Sequence, residues 1–436
     1  LNKSLKAIRG MSDILPQHSS SWTRLERSIA SVLNLYGYRE IRLPIVEKSD
    51  VFQRSIGDQT DIVQKEMYSF ADKNGDFLTL RPEGTAGCVR AVLENNLLQK
   101  IPQKLWYMGP MFRHERPQRG RQRQFHQVGV EFFGSSTPEA DAELILLTKR
   151  IWKNLKIHNL RLEINSLGDA HSRKLYKEKL VSYFSGHLDK LDEESILRLQ
   201  KNPLRILDSK NPSLKDIISG APSLLDSLDE QSRLHFQKFQ SILDTCGITA
   251  VVNPRLVRGL DYYNGTVFEW ITEELGAQGT VCAGGRYDTL LEVMGGAAMP
   301  AIGLAMGLER LLELQNLQSP LDDTLTTDLY VCATENGLDI ASLKWAERLR
   351  DAYPKLSIQL HTSEGKLKAR LKKADRSGAK VAILIGEDEL KADKVTVKPL
   401  RTRAEQITCG ASELEEVLRH LLQNESLERG SHIDTE

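Results

Sequence analysis

A change of pattern near residue 320 most constrains the fold. Before it, apolar stretches of strand character follow one another with few helices between them. After it, strand-like and helix-like stretches alternate at regular spacing. In the first part Phe77 to Arg81, Lys104 to Glu115, Phe125 to Phe133, Leu160 to Asn165 and Tyr262 to Thr272 read as strands, and Thr85 to Leu98 and Ala140 to Asn154 as helices. Trp22 to Tyr36 repeats at helical spacing and feeds a short strand, Tyr38 to Val46, interrupted by Pro44. Many strands with few strand–helix–strand repeats predict an α+β domain: a largely antiparallel sheet flanked by helices.

Between Gly168 and about Gln231 the strands stop, and a charged segment with Asn-Pro breaks at Asn202 and Asn211 reads as a helical insertion. From Asp328 strand Leu329 to Ala333, helix Asp339 to Tyr353, strand Leu356 to His361, helix Lys366 to Arg376 and strand Val381 to Gly386 predict a separate α/β domain. The expected division is 1–167 and 232–318 for the main domain, 168–231 for the insertion, 319–327 for a linker, 328–425 for the α/β domain and 426–436 for a tail. Leu1 and Arg429-Gly430-Ser431-His432 are set aside as end residues outside the argument.

Fifty-nine basic residues balance 59 acidic ones, so any nucleic-acid surface must come from local clustering. Five dispersed cysteines without a CxxC pair argue against a disulfide framework or structural zinc and fit a reducing cytoplasm. No apolar run approaches the roughly 20 residues needed to span a bilayer.

Two stretches carry chemistry. In the hairpin Trp106 to Phe133, strand alternation predicts Arg113 and Glu115 on one face of the first strand and Gln127, Gly129 and Glu131 on one face of the second. The connecting loop sets Arg116, Arg119, Arg121 and Arg123 around Gly120, and forked guanidinium groups suit phosphate oxygens. A solvated basic hairpin tip is the plain alternative. In Ala301 to Leu308, small and large apolar residues alternate strictly before Glu309-Arg310. One face is left almost bare, for a flat group approaching the backbone or for close packing of another element, and Gly303 and Gly307 also fit helix–helix packing at i, i+4.

These stretches, with the unit around Pro44, resemble the three signature motifs of class II aminoacyl-tRNA synthetases in their usual order. Within that class, Thr79-Leu80-Arg81-Pro82-Glu83-Gly84-Thr85, Leu256-Val257-Arg258-Gly259-Leu260-Asp261-Tyr262-Tyr263 and Gly284-Gly285-Arg286-Tyr287-Asp288 resemble the histidyl-tRNA synthetase family in its bacterial form. The resemblance covers essentially the whole chain. It implies activation of L-histidine by ATP with Mg²⁺, transfer to tRNA(His), a homodimer built on motif one, and no membrane.

By the same resemblance Glu83, Thr85 and Gln127 hold the α-amino group. Glu131 and Tyr263 read the imidazole, with Tyr262 and Tyr287 in the same pocket. Arg113 and Arg258 flank the α-phosphate as the catalytic pair, while Arg121 and Arg310 hold the β- and γ-phosphates beside Glu115 and Phe125 in the ATP site. Gln118, Arg116 and Arg119 are the tRNA-binding candidates. His114 and His126 are expected in structural roles. The last domain resembles an anticodon-binding domain. Its stretch from Lys366 to Lys380 has seven basic residues against one acidic one, and Leu367, Leu371 and Ala374 form an apolar stripe. The rival implied by resemblance is the non-catalytic, synthetase-like regulatory subunit of ATP phosphoribosyltransferase, which lacks the last domain and does not need the ATP arginines.

Overall fold

The structure, a computed structural model, describes residues 5–57, 60–100, 102–118, 120–207, 209, 211–276, 279–319 and 327–422. Two compact units divide between Leu321 and Asp322, except that Pro16–Ser20 groups with the second. The strands of the first unit are β1 (Arg39–Glu40), β2 (Val46–Lys48), β3 (Tyr68–Ala71), β4 (Phe77–Leu80), β5 (Gln103–Phe112), β6 (Gln124–Phe133), β7 (Arg161–Ser166), β8 (Ala250–Val252), β9 (Asn264–Ile271), β10 (Thr280–Arg286) and β11 (Ala301–Gly307). Its helices are α1 (Pro16–Leu35), α2 (Ser49–Ile56), α3 (Thr85–Glu94), α4 (Pro138–Leu155), α5 (Ala170–Ser185), α6 (Glu193–Lys201), α7 (Lys215–Gly220), α8 (Glu230–Thr245), the single turn α9 (Leu290–Val293) and α10 (Leu308–Gln318).

Eight strands form one sheet in the order β1-β5-β6-β11-β10-β9-β7-β8, and only the edge pairs β1–β5 and β7–β8 are parallel. Alternation along the strands separates two cores. Trp106, Val128, Val130, Phe132, Phe268, Ile302, Leu304 and Met306 pack against α1, α4, α8 and α10 on one side. Residues facing the other way join α3, the insertion and a group of buried tyrosines. A small second sheet, β2-β4-β3, carries the Pro44 unit.

Between α5 and α8 the described residues form helices and short turns. Asp169, Asp192 and Asp229 cap α5, α6 and α8 by accepting backbone N–H groups of the first turn, and Pro203 and Pro212 start new turns after their asparagines. Among the described residues no helix is long and apolar enough to cross a membrane.

The second unit has β12 (Leu329–Ala333), α11 (Asp339–Ala352), β13 (Ile358–Leu360), α12 (Leu367–Arg376), β14 (Val381–Ile385), α13 (Glu387–Lys391), β15 (Lys394–Pro399), β16 (Ile407–Gly410) and α14 (Ala411–Leu422). The sheet order is β13-β12-β14-β15-β16, parallel through β14 and antiparallel beyond it. Leu329 and Val331 face α11 and α14, while Tyr330 and Cys332 face α12. Leu367, Leu371 and Ala374 form the apolar stripe, Ala374 buried and the two leucines half-buried, and Arg370 is buried beside them. Its guanidinium donates to the carbonyls of Gly365 and Ala333 and to Asn336 and Asp339, so one of the seven basic residues secures the fold.

Candidate active site

The floor of the site is one face of the large sheet. The register sets Leu105, Tyr107 and Gly109 of β5 opposite Glu131, Gly129 and Gln127 of β6, and these opposite Gly303, Ala305 and Gly307 of β11. Cross-strand partners share a face, so the bare side of the Ala301–Gly307 run lies beside the polar side of β6. Packing of two helices through Gly303 and Gly307 is thereby excluded, since both lie in a strand. The next strands continue the surface with Gly285 and Ala283 of β10 and Val267 and Glu269 of β9.

At one end of this floor Glu131 is almost fully buried. Its carboxylate accepts hydrogen bonds from Thr85 Oγ1 (2.8 Å), Tyr107 OH (2.9 Å) and Tyr287 OH. Burial pushes its pKa up to about 8 against the opposing effect of the three hydroxyl donors. Glu83 precedes α3 and accepts the N–H groups of Thr85 (2.6 Å) and Ala86 (2.9 Å), a carboxylate at a helix N-terminus. Burial raises its pKa as well, opposed by those two N–H groups. Because Thr85 gives its only proton to Glu131, its oxygen is left as an acceptor, next to the Glu83 carboxylate. The side chain of Gln127 has no hydrogen-bond partner among the described residues and lies one alternation along from Gly129. Together these acceptors suit an ammonium.

Tyr262 and Tyr263 precede β9, and Tyr287 follows β10. The rings of Tyr262 and Tyr263 lie 4.7 Å apart, and those of Tyr262 and Tyr287 meet edge to face at 5.8 Å. Burial holds all three phenols above their ordinary pKa, so each is neutral and able to donate.

At the other end stand four arginines. Arg113 donates Nε to the Pro82 carbonyl (2.9 Å) and lies over the Phe125 ring at 5.3 Å. Arg258 pairs with Glu269 and lies 5.5 Å from the centroid of the Tyr263 ring. Arg121 pairs with Glu115 at 2.7 Å. Arg310 donates to the carbonyls of Gly120 (3.3 Å) and Thr280 (2.5 Å). The pKa of Arg310 is lowered by burial and then by the positive charges of Arg121 and Arg113. An anion among these groups would relieve that repulsion.

The hairpin departs from the sequence expectation in one respect. Strand pairing stops at Phe112 and Gln124, and Arg113 and Glu115 lie in the turn beyond it. The Glu115 N–H turns back onto the Arg113 carbonyl at 2.8 Å, and Pro117 has no N–H with which to extend the ladder. Both side chains therefore enter the site from a loop. At its tip Gln118 and Arg121 exchange backbone bonds, and Arg116 and Gln118 are exposed; Arg119 lies outside the described residues. His114 meets Tyr68 edge to face, and His126 Nδ1 is 3.0 Å from the Glu309 carboxylate, which also accepts the His126 backbone N–H.

Three residues of this constellation escaped the sequence reading. Tyr107 reaches Glu131 only because Gly129 opposite it, and Gly84 above it, have no side chains; a Cβ on either would overlap its ring. A tyrosine on a strand facing a glycine on the next was the available signal. Glu269 holds Arg258 and accepts a bond from Thr280 Oγ1 at 3.0 Å, a pairing across the sheet with no local trace. Arg81 is buried and donates to the carbonyls of Leu43 and Pro110 (both 2.9 Å), tying the Pro44 unit to the loop that carries Glu83.

Residues 10–311 match the model of the histidyl-tRNA synthetase family, and residues 328–421 match that of an anticodon-binding domain. A histidine–tRNA ligase of Halorhodospira halophila is 53% identical over 401 residues, 92% of this chain and 94% of that protein. The apo histidyl-tRNA synthetase of S. aureus superposes with a TM-score of 0.79 at 35% identity, covering 95% of this chain and 100% of its own. A Bacillus halodurans chain described as an ATP phosphoribosyltransferase regulatory subunit/histidyl-tRNA synthetase shares the fold, with a TM-score of 0.65 at 20% identity over 88% of this chain and 99% of its own. The family model over residues 10–311 and the 53% identical relative place the chain in the histidyl-tRNA synthetase family.

Proposed function

We propose that the chain is a histidine–tRNA ligase in which the two ends of the sheet floor take the two substrates of the first step. The observation that carries this reading is the pairing, on one bare surface, of a buried carboxylate ringed by tyrosines with a wall of four arginines. Glu131 and Tyr263 take the imidazole nitrogens, where an apolar amino acid would leave buried polar groups unpaired. Glu83, Thr85 and Gln127 accept from the α-ammonium. ATP enters as its Mg²⁺ complex. Phe125 offers a face to the base, with Glu115 beside it. Arg113 and Arg258 contact the α-phosphate, and Arg121 and Arg310 the β- and γ-phosphates.

The histidine carboxylate attacks the α-phosphorus, a P–O bond forms as the bond to pyrophosphate breaks, and the fixed guanidinium groups stabilise the charge of the five-coordinate transition state. Arg121 and Arg258, paired with Glu115 and Glu269, exchange those carboxylates for phosphate oxygens. A terminal ribose hydroxyl of tRNA(His) then attacks the adenylate carbonyl and AMP leaves. The loop with exposed Arg116 and Gln118, together with Arg119, and separately the basic stretch Lys366 to Lys380 of the second unit, are the surfaces offered to RNA. Exposed Val46 and Phe70, which the register puts on one face of the small sheet, suit a homodimer contact. Cytoplasmic residence agrees with this role.

Pyrophosphate exchange into ATP tests the reading. Exchange with histidine alone among the standard amino acids, without tRNA, is expected. A folded protein that exchanges with none would favour the regulatory-subunit reading.

A further inference from the structure

The segment from Leu256 to Tyr263 belongs to no strand or helix, although it carries Arg258 at one end and Tyr262 and Tyr263 at the other. No backbone ladder pairs it, although Asn165 of β7 donates to the Leu256 carbonyl at 3.0 Å and Glu269 of β9 pairs with Arg258. The helical insertion holds the stretch between Arg258 and Tyr263. Arg205, in the turn Pro203–Ile206, donates Nη2 to the Gly259 carbonyl at 2.6 Å and approaches Asp261 Oδ1 at 3.5 Å. Asn202, which ends α6, donates to the same Asp261 oxygen at 3.1 Å. Arg173 of α5 donates to the Tyr263 carbonyl at 2.6 Å. From the opposite side the Asp261 N–H bonds the Ile56 carbonyl at 3.2 Å, where Gly57 has φ +97° and a Cβ would come within 2.7 Å of the Asp261 carboxylate. The segment is gripped between the end of α2 and the insertion.

We propose that Arg205 and Asn202 of the insertion are positioning residues for histidine activation: by holding Gly259 and Asp261 they set where Arg258 and Tyr263 stand. The insertion is then a working part of the amino-acid site as well as a separate helical body. The inference rests on the roles given to Arg258 and Tyr263 above. Charge-assisted bonds to a backbone carbonyl and a carboxylate are the strong class of hydrogen bond, and a shift of about 1 Å in a reacting group costs up to about 100-fold in rate.

The test is histidine-dependent pyrophosphate exchange by the full-length protein and its Arg205→Ala, Arg205→Lys and Asn202→Asp variants, with melting temperatures alongside. Arg205→Ala is expected to lower kcat about 10- to 100-fold and raise the histidine KM about tenfold. The ATP KM should move less than the histidine KM, because of the four phosphate arginines only Arg258 stands on this segment. Arg205→Lys, which keeps a donor in reach, restores most of the loss. Asn202→Asp sets a second carboxylate against Asp261 and moves the same two constants in the same direction. Unchanged constants in a folded Arg205→Ala protein overturn the proposal, as does a fall in kcat with a lower melting temperature and an unchanged histidine KM. Should Arg205→Ala fail to fold, Asn202→Asp decides by the same criteria. Absence of exchange by the unsubstituted protein would instead sink the proposed function.

Discussion

Replacing Glu131 by Gln separates the cost of this residue to the fold from its use in the site. The carboxyl is buried, and its pKa stands at about 8 in the folded protein, far above the ordinary carboxylate range. For an acid raised in this direction, the folded state keeps a proton that the unfolded chain releases near pH 4.5. Stability is therefore full at low pH and lost as pH rises from the ordinary carboxylate range to about 8. Gln keeps the shape and an acceptor oxygen for Thr85 and Tyr107, and the Tyr287 hydroxyl turns to accept from its amide. Between pH 6 and pH 9 the variant should gain on the unsubstituted protein by about 2–3 kcal/mol, the linkage value for the last two pH units below the folded pKa. Four of the five tryptophans, Trp22, Trp106, Trp152 and Trp270, lie in the first unit, so urea unfolding followed by tryptophan fluorescence reads that unit's stability at the two pH values. Histidine-dependent exchange by the variant should fall by at least about 100-fold, the scale for an unpaired buried polar group against the wrong partner. A stability difference that is constant from pH 6 to pH 9 would mean that Glu131 is already ionised in the folded state and would refute the burial argument.

Arg258→Ala should reduce exchange by about 100- to 1,000-fold, the scale of a lost electrostatic contact to a transition state, and lower the melting temperature because Glu269 loses its partner; near-normal turnover by the folded variant removes Arg258 from the chemistry. Gly303→Ala drives a methyl group into the Glu131 carboxylate, which three hydroxyls hold in place. It should raise the histidine KM about tenfold and destabilise the first unit by about 1–3 kcal/mol, checked by exchange kinetics and urea unfolding. Full activity in that variant would show that the floor has slack.

The local half of this protein was legible in its residues. Alternation in Phe125 to Phe133 and in Ala301 to Gly307 sets which side of each strand is polar, apolar or bare, because side-chain direction in a strand has period two. The change to regular strand–helix alternation at Asp328 identified a second unit of another fold class, although β15, β16 and α14 lie beyond the reading. The hairpin arginines announced an anion. Tertiary structure decided the rest. The order β5-β6-β11-β10-β9 draws strands from distant parts of the chain, so that Tyr107, Glu131 and Gly303 meet across three of them and Glu269 finds Arg258. Burial of Arg370 and the grip of Arg205 on Gly259 are likewise invisible in composition. Sequence periodicity records which way a side chain points; which group it meets, and how far from water, depends on strand order and packing between segments that share no local pattern.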